Sequence, residues 1–124
     1  MLDTKMLIVD DDTNICDLLK RYFENEGYSV KTANNGADGV SFFKVYDPDI
    51  VLLDIMLPKQ DGWQVCREIR EVSSKPIIMI TAKDEVFDKV YAFIGKAVQT
   101  IGTETMHLFQ VLLRIGYLCF ALDE

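Results

Sequence analysis

The chain has few cysteines, prolines and histidines, and the way it uses its cysteines excludes two kinds of site. Cys16, Cys66 and Cys119 are far apart and form no C-x-x-C pair, which argues against a zinc site and against a disulfide framework. We expect them to be buried free thiols. The first residues also lack the basic-then-apolar pattern of a secretory signal and become acidic within "MLDTKMLIVDDD", so we expect a cytoplasmic protein.

Basic residues and long apolar runs are scarce as well. Lys and Arg number 13 against 20 Asp and Glu, for a formal net charge of -7, so phosphate backbones and anionic lipid surfaces should repel the chain. Residues 106–122 come nearest to a membrane span, but His107, Gln110 and Arg114 interrupt them, and spans usually need about 18 apolar residues. We therefore expect no direct binding to nucleic acid and no membrane span. His107, the only histidine, is interpreted as an ordinary residue of the last predicted helix.

The apolar residues alternate between strand-like and helix-like patterns along a chain that is 49% hydrophobic, enough for the core of a single domain. Short apolar runs predict strands at residues 5–9, 50–55 and 76–81, and alternation of apolar and polar residues predicts one at 28–33. Helical spacing predicts helices from Asp12 or Thr13 to Gly27, and at 37–46, 63–72 and 84–95. The apolar face of the first helix should comprise Ile15, Leu18, Leu19, Tyr22 and Phe23. A fifth strand at 97–101 and a last helix at 104–120 complete the prediction. This order favours an α/β fold with a parallel sheet covered by helices on both faces.

Acidic residues follow two of the predicted strands. Asp10, Asp11 and Asp12 follow the first strand, Asp54 ends the third, and Thr81 ends the fourth. Functional residues gather at the carboxyl ends of strands in open parallel sheets, so Asp54 should face Asp10 and Asp11 across a shallow cleft. Such a set of oxygens suits Mg²⁺, which would compensate the repulsion and support attack of a carboxylate on phosphorus. Simpler interpretations make Asp12 a helix N-cap and Asp11 a favourable charge near the helix dipole.

Several spaced motifs together resemble the receiver domain of two-component response regulators over residues 5 to about 95. These motifs are "LIVDDD", "DIVLLDIMLPKQDG" and "PIIMITA". The segments "TAKDE" and "DKV" are most similar to the winged-helix transcription regulators of this family. The resemblance implies a flavodoxin-like, doubly wound sheet with strand order 2-1-3-4-5. It also implies a sensor histidine kinase as partner and a DNA-binding output domain that this chain does not contain.

The same resemblance assigns roles to individual residues. Asp54 would be the phosphoacceptor, and Asp10, Asp11, Asp54 and the backbone carbonyl of Met56 would hold Mg²⁺. Thr81 would hydrogen-bond the phosphoryl oxygens and move when the site is charged. Met56 and Lys83 occupy the positions at which such domains tune loss of the phosphoryl group.

The resemblance breaks after residue 95. Receiver domains end their fifth strand with a Lys-Pro pair, whereas Gly102 and Thr103 stand at that place here. Three interpretations of residues 96–124 are open. The domain is a divergent receiver with an altered switch, or its tail was altered by frameshift, mis-splicing or engineering, or Lys96 takes the role of the family's lysine. Without that lysine we expect a domain that accepts phosphate but switches poorly, and the family's dimer contacts cannot be carried over.

Other functions remain open at the level of sequence. Asp10 and Asp12 match the D-x-D spacing of haloacid-dehalogenase-type phosphatases. Flavin or nucleotide binding is disfavoured, because the loop after the first strand has aspartates where a phosphate cradle needs glycines. An inactive receiver-like interaction module is the third alternative.

Overall fold

A computed structural model describes the backbone of residues 4–82 and 117–122 and the side-chain surroundings of residues 4–80. Its strands are β1 (Lys5–Val9), β2 (Ser29–Ala33), β3 (Ile50–Asp54), β4 (Ile77–Ala82) and β5 (Tyr117–Leu122). Its helices are α1 (Thr13–Asn25), α2 (Gly36–Tyr46) and α3 (Gly62–Arg70). The described helices and the first four strands agree with the sequence prediction to within two residues at nearly every end. The predicted helix at 84–95 and strand at 97–101 lie outside the described residues.

The strands form one sheet in the order β2-β1-β3-β4-β5. Strands β1 to β4 pair in parallel, with Val9 beside Leu53 and Asp54 beside Ile80. The predicted flavodoxin-like parallel arrangement, with helices on its faces, is confirmed for these four strands.

The fifth strand corrects the prediction for the C-terminal region. β5 uses residues 117–122 and runs antiparallel to β4, with Ala82 beside Tyr117 and Ile77 beside Leu122. The predicted helix over 104–120 is therefore wrong for residues 117–120. A short apolar run such as "YLCFAL" does not distinguish helix from strand, and pairing here satisfies backbone groups along the outer edge of β4. The predicted place of the fifth strand in the sheet order is correct, but its residues and direction differ.

Side-chain caps define where the helices begin. The Asp12 carboxylate accepts hydrogen bonds from the backbone N–H groups of Asn14 (2.9 Å) and Ile15 (3.3 Å), so Asp12 is the N-cap of α1. Asn35 caps α2 and Asp61 caps α3 in the same way. These caps fix the helix starts at the carboxyl edge of the parallel strands.

The core lies along β1, β3 and β4, the three central strands of the five-stranded sheet. Their side chains are almost completely buried as far as Ile80, except for Lys5 and Asp54 at strand ends. Cys16 and Cys66 are buried free cysteines, as expected. Leu18 is an exception to the helical pattern, because more than half of its side chain is exposed. None of the helices within the described ranges is long and apolar enough to cross a lipid bilayer.

Candidate metal centre

Three carboxylates meet where β1 and β3 end. Asp10 follows Val9, and Asp54 is the last residue of β3. Because Val9 pairs with Leu53, the residues that come next in the two strands, Asp10 and Asp54, lie side by side at the same edge of the sheet. Oxygen atoms of Asp10, Asp11 and Asp54 all lie within 4.8 Å of one another. Asp10 is buried, Asp54 is half-buried and Asp11 is exposed. The structure thus brings together the three carboxylates that the sequence predicted to converge.

Asp10 carries most of the electrostatic cost of this arrangement. Its side chain is only 4% exposed, and burial, followed by the charges of Asp54 and Asp11, raises its pKa to about 7. A hydrogen bond from the Asp12 N–H to Asp10 Oδ1, at 2.9 Å, opposes that rise. Asp10 therefore keeps its proton to a higher pH than an ordinary aspartate unless a cation compensates its charge.

The three carboxylates fit a small divalent cation by their chemistry and spacing. Mg²⁺ takes oxygen ligands at about 2.0–2.1 Å in an octahedron, which places ligand oxygens roughly 3–4.2 Å apart. The carboxylate oxygens lie within 4.8 Å of one another, so a closure of at most about 2 Å brings any pair to the spacing of neighbouring ligands, roughly 3 Å. Hard oxygen ligands of this kind favour Mg²⁺, Mn²⁺ or Ca²⁺ over softer metals.

The loop after β3 holds Asp54 in place. The Met56 N–H donates to Asp54 Oδ1 at 3.1 Å, and the Gly62 N–H donates to the Ile55 carbonyl at 2.9 Å. A Cβ at Gly62 would press on the Asp54 carbonyl oxygen and lie 2.8 Å from Ile55 Cα. The glycine therefore allows the start of α3 to pack directly against the backbone of Asp54.

The other predicted site residues either lie near this loop or fall outside the residues whose side chains the structure describes. Met56 directly follows Ile55, and 56% of its side chain is exposed. Thr81 follows Ile80, the partner of Asp54, so its backbone lies at the same edge of the sheet. Lys83, Lys96, Gly102, Thr103 and His107 lie outside the described residues.

Two residues that the sequence analysis did not select contact the acidic segment. The Asn34 side-chain amide donates to the Asp10 carbonyl at 3.2 Å, and the Cys16 thiol donates to the same oxygen at 3.3 Å. The sequence carried little signal for either contact, because an asparagine before a helix resembles a cap and a cysteine on an apolar helix face resembles core.

Comparison with known proteins identifies the family. The sequence model described as "Response regulator receiver domain" matches residues 6–102, which is most of the chain. The chain belongs to the response regulator receiver domain family. The match confirms the resemblance that the motifs indicated, and it extends beyond residue 95, where the recognisable motifs end.

Solved structures agree with this assignment. The receiver domain of the Francisella response regulator 1452 is 27% identical, with a TM-score of 0.63, and the match covers 72% of this chain and 74% of that one. The response regulator TrrA from Thermotoga maritima, solved in complex with Mg(2+)-BeF, is 39% identical, with a TM-score of 0.57 and coverage of 60% and 65%. NtrX from Brucella abortus, solved in complex with ATP, is 28% identical, with a TM-score of 0.66; the match covers 73% of this chain but 21% of NtrX.

Proposed function

We propose that this chain is a phosphoacceptor domain that takes a phosphoryl group from a histidine kinase onto Asp54 in the presence of Mg²⁺. The observation that carries the proposal is the convergence of the Asp10, Asp11 and Asp54 carboxylates within 4.8 Å at one edge of the sheet. Membership of the receiver family and the Mg(2+)-BeF complex of TrrA support it. We treat residues 1–124 as one receiver-like domain, of which 96–124 departs from the family pattern.

The cation would be held by Asp10, Asp11, Asp54 and the Met56 carbonyl, and it would neutralise charge on the phosphoryl oxygens. We assign Asp54 as the nucleophile because it stands at the phosphoacceptor position of the receiver motif "DIVLLDIMLPKQDG" and is less buried than Asp10. The Met56 N–H donates a hydrogen bond to the Asp54 carboxylate and so orients it. An Asp54 oxygen would bond to phosphorus while the bond from phosphorus to the histidine nitrogen breaks, and Thr81 would hydrogen-bond the transferred group.

The alternative of a haloacid-dehalogenase-type phosphatase requires Asp12 to act beside Asp10. The Asp12 carboxylate instead caps α1 through two backbone N–H groups. Releasing it for catalysis would cost the cap, which is typically worth about 1 kcal/mol. The geometry therefore favours the pair Asp10 and Asp11, with Asp54, over the pair Asp10 and Asp12.

Intact-protein mass spectrometry tests the proposal. After incubation with acetyl phosphate and Mg²⁺, we expect one phosphoryl adduct that is absent with EDTA and absent in Asp54→Asn. Asp61→Asn is the matched control, because it keeps an N-cap on α3 and lies outside the carboxylate cluster. An adduct that survives in Asp54→Asn would contradict the assignment of the acceptor. A folded protein without any adduct would indicate an inactive interaction module.

We further propose that phosphorylation drives the conformational switch poorly. The strand beside β4 reads "YLCFAL" and contains no lysine. A charge-assisted hydrogen bond is worth about 1.5–3 kcal/mol, and its loss weakens the coupling between the phosphoryl group and the switch. We expect only small chemical-shift changes at Thr81 when a phosphoryl mimic is added. Large changes there would refute the proposal.

The wider role depends on partner domains and proteins. By the resemblance to the winged-helix transcription regulators, we propose a DNA-binding output domain as one of these partners. We propose that this chain is cytoplasmic and that a sensor histidine kinase is its phosphodonor.

A further inference from the structure

The peptide group between Asp10 and Asp11 is held by side chains that lie outside the acidic cluster. Its carbonyl oxygen, on Asp10, accepts hydrogen bonds from Asn34 Nδ2 (3.2 Å) and Cys16 Sγ (3.3 Å). The Asn34 amide also lies 3.6 Å from the Cys16 sulfur. The Asp10 N–H donates to the Ala33 carbonyl at 3.0 Å. The backbone of Asp10 is therefore fixed by α1, by β2 and by the loop that follows β2.

The orientation of this peptide group decides where two carboxylates point. The Asp10 carbonyl belongs to the peptide bond that joins Asp10 to Asp11, so holding it restricts ψ of the first residue and φ of the second. Mutual repulsion favours movement of the exposed Asp11 away from Asp10 and Asp54. Two hydrogen bonds to the carbonyl oppose that movement before any cation arrives.

Asn34 and Asn35 make different hydrogen bonds. Asn35 Oδ1 accepts from the Asp38 N–H at 2.8 Å and caps α2. The cap therefore does not need Asn34, whose amide instead reaches across to the Asp10 carbonyl. Helix capping alone accounts for Asn35 and leaves the contact of Asn34 to be explained.

We propose that Asn34 is a positioning residue of the cation site, with the Cys16 thiol as a second donor to the same carbonyl. Together they hold Asp10 and Asp11 in the arrangement that lets both carboxylates converge with Asp54. The inference rests on the proposed function, because it concerns the Mg²⁺ that this function requires. It adds a residue from the loop after β2 to a site otherwise built after β1 and β3.

Calorimetric titration with Mg²⁺ alone, beside urea unfolding without Mg²⁺, tests the role of Asn34. Loss of an outer hydrogen-bond partner typically weakens metal binding about 10–100-fold, and we expect a loss on the order of tenfold in Asn34→Ala. Asn35→Ala is the matched control, since it removes a neighbouring asparagine that caps α2. We expect it to lower the urea midpoint at least as much as Asn34→Ala while its Mg²⁺ affinity stays native.

Cys16 provides an independent pair of variants. Cys16→Ser retains a donor of similar size, and Cys16→Ala removes it. We expect the serine variant to bind Mg²⁺ nearly as tightly as the native chain and the alanine variant to bind more weakly. A serine variant as weak as the alanine variant would contradict a role for this donor.

The outcomes separate the two proposals. Native affinity in Asn34→Ala, or an equal loss in Asn35→Ala, would overturn the positioning role while Mg²⁺ binding by the native chain still supported the proposed function. A native chain that binds no Mg²⁺ would overturn the proposed function and the positioning role with it.

Discussion

Replacing Asp10 by asparagine should stabilise the metal-free protein above neutral pH. The change removes a buried charge but keeps the Oδ1 acceptor for the Asp12 N–H. The pKa of Asp10 rises from 3.8 to about 7 on folding, mainly through burial. At about 1.36 kcal/mol per pKa unit, that rise costs the native state on the order of 4 kcal/mol once Asp10 is ionised. Asp10→Asn does not ionise and avoids this cost.

The sign of the pH dependence follows from the raised pKa. Between pH 4 and pH 7 the Asp10 carboxyl binds more protons in the folded protein than in the unfolded chain, so its contribution to the free energy of unfolding falls as the pH rises. The advantage of Asp10→Asn should therefore be small near pH 4 and greatest near pH 8 in EDTA. Excess Mg²⁺ should stabilise the native sequence and have much less effect on the variant.

Urea unfolding at pH 4, 6 and 8, with EDTA and with Mg²⁺, measures these differences. Asp17→Asn is the control, because Asp17 is an exposed aspartate on α1. An Asp10→Asn variant that is no more stable than the native chain at pH 8 in EDTA would refute the reasoning. So would a gain that is the same at pH 4 and pH 8.

Substitutions at two further residues test the supports of the site. Gly62→Ala should destabilise the protein by about 1–3 kcal/mol and slow adduct formation at Asp54, because the new Cβ meets the backbone of Asp54 and Ile55. A variant with native stability and a native rate of adduct formation would contradict this. Asp12→Ala should cost about 1 kcal/mol in urea unfolding, whereas Asp12→Asn should cost little because asparagine also caps helices; equal losses in the two variants would show that the cap is not the cause.

The sequence predicted the parallel part of the fold because its strands are short, apolar and bounded by polar residues. Once β1 and β3 were expected to be neighbours, the convergence of Asp10 and Asp54 followed from the rule that strand ends gather at one edge. Asp12 illustrates a choice that sequence left open. It could act beside Asp10 in a D-x-D phosphatase motif or cap the helix, and its two hydrogen bonds from backbone N–H groups show that it is the N-cap.

Two features could not be predicted, for different physical reasons. The run that forms β5 has no periodicity to separate strand from helix, so its state depends on the edge of β4 beside which it lies. The contact of Asn34 with the Asp10 carbonyl joins residues from separate loops, and no local pattern encodes that approach. Leu18 shows the opposite error, since helical spacing included it in the apolar stripe although it is exposed.

The antiparallel direction of β5 makes the two ends of one long segment neighbours. Ala82 and Tyr117 are register partners, so the end of β4 lies beside the start of β5. Antiparallel partners lie about 4.5–5.5 Å apart, a gap that hairpin loops of about 2–5 residues close. A loop of that length could therefore join Ala82 directly to Tyr117, and a protein shortened in this way would test whether the five strands suffice to hold the three carboxylates together.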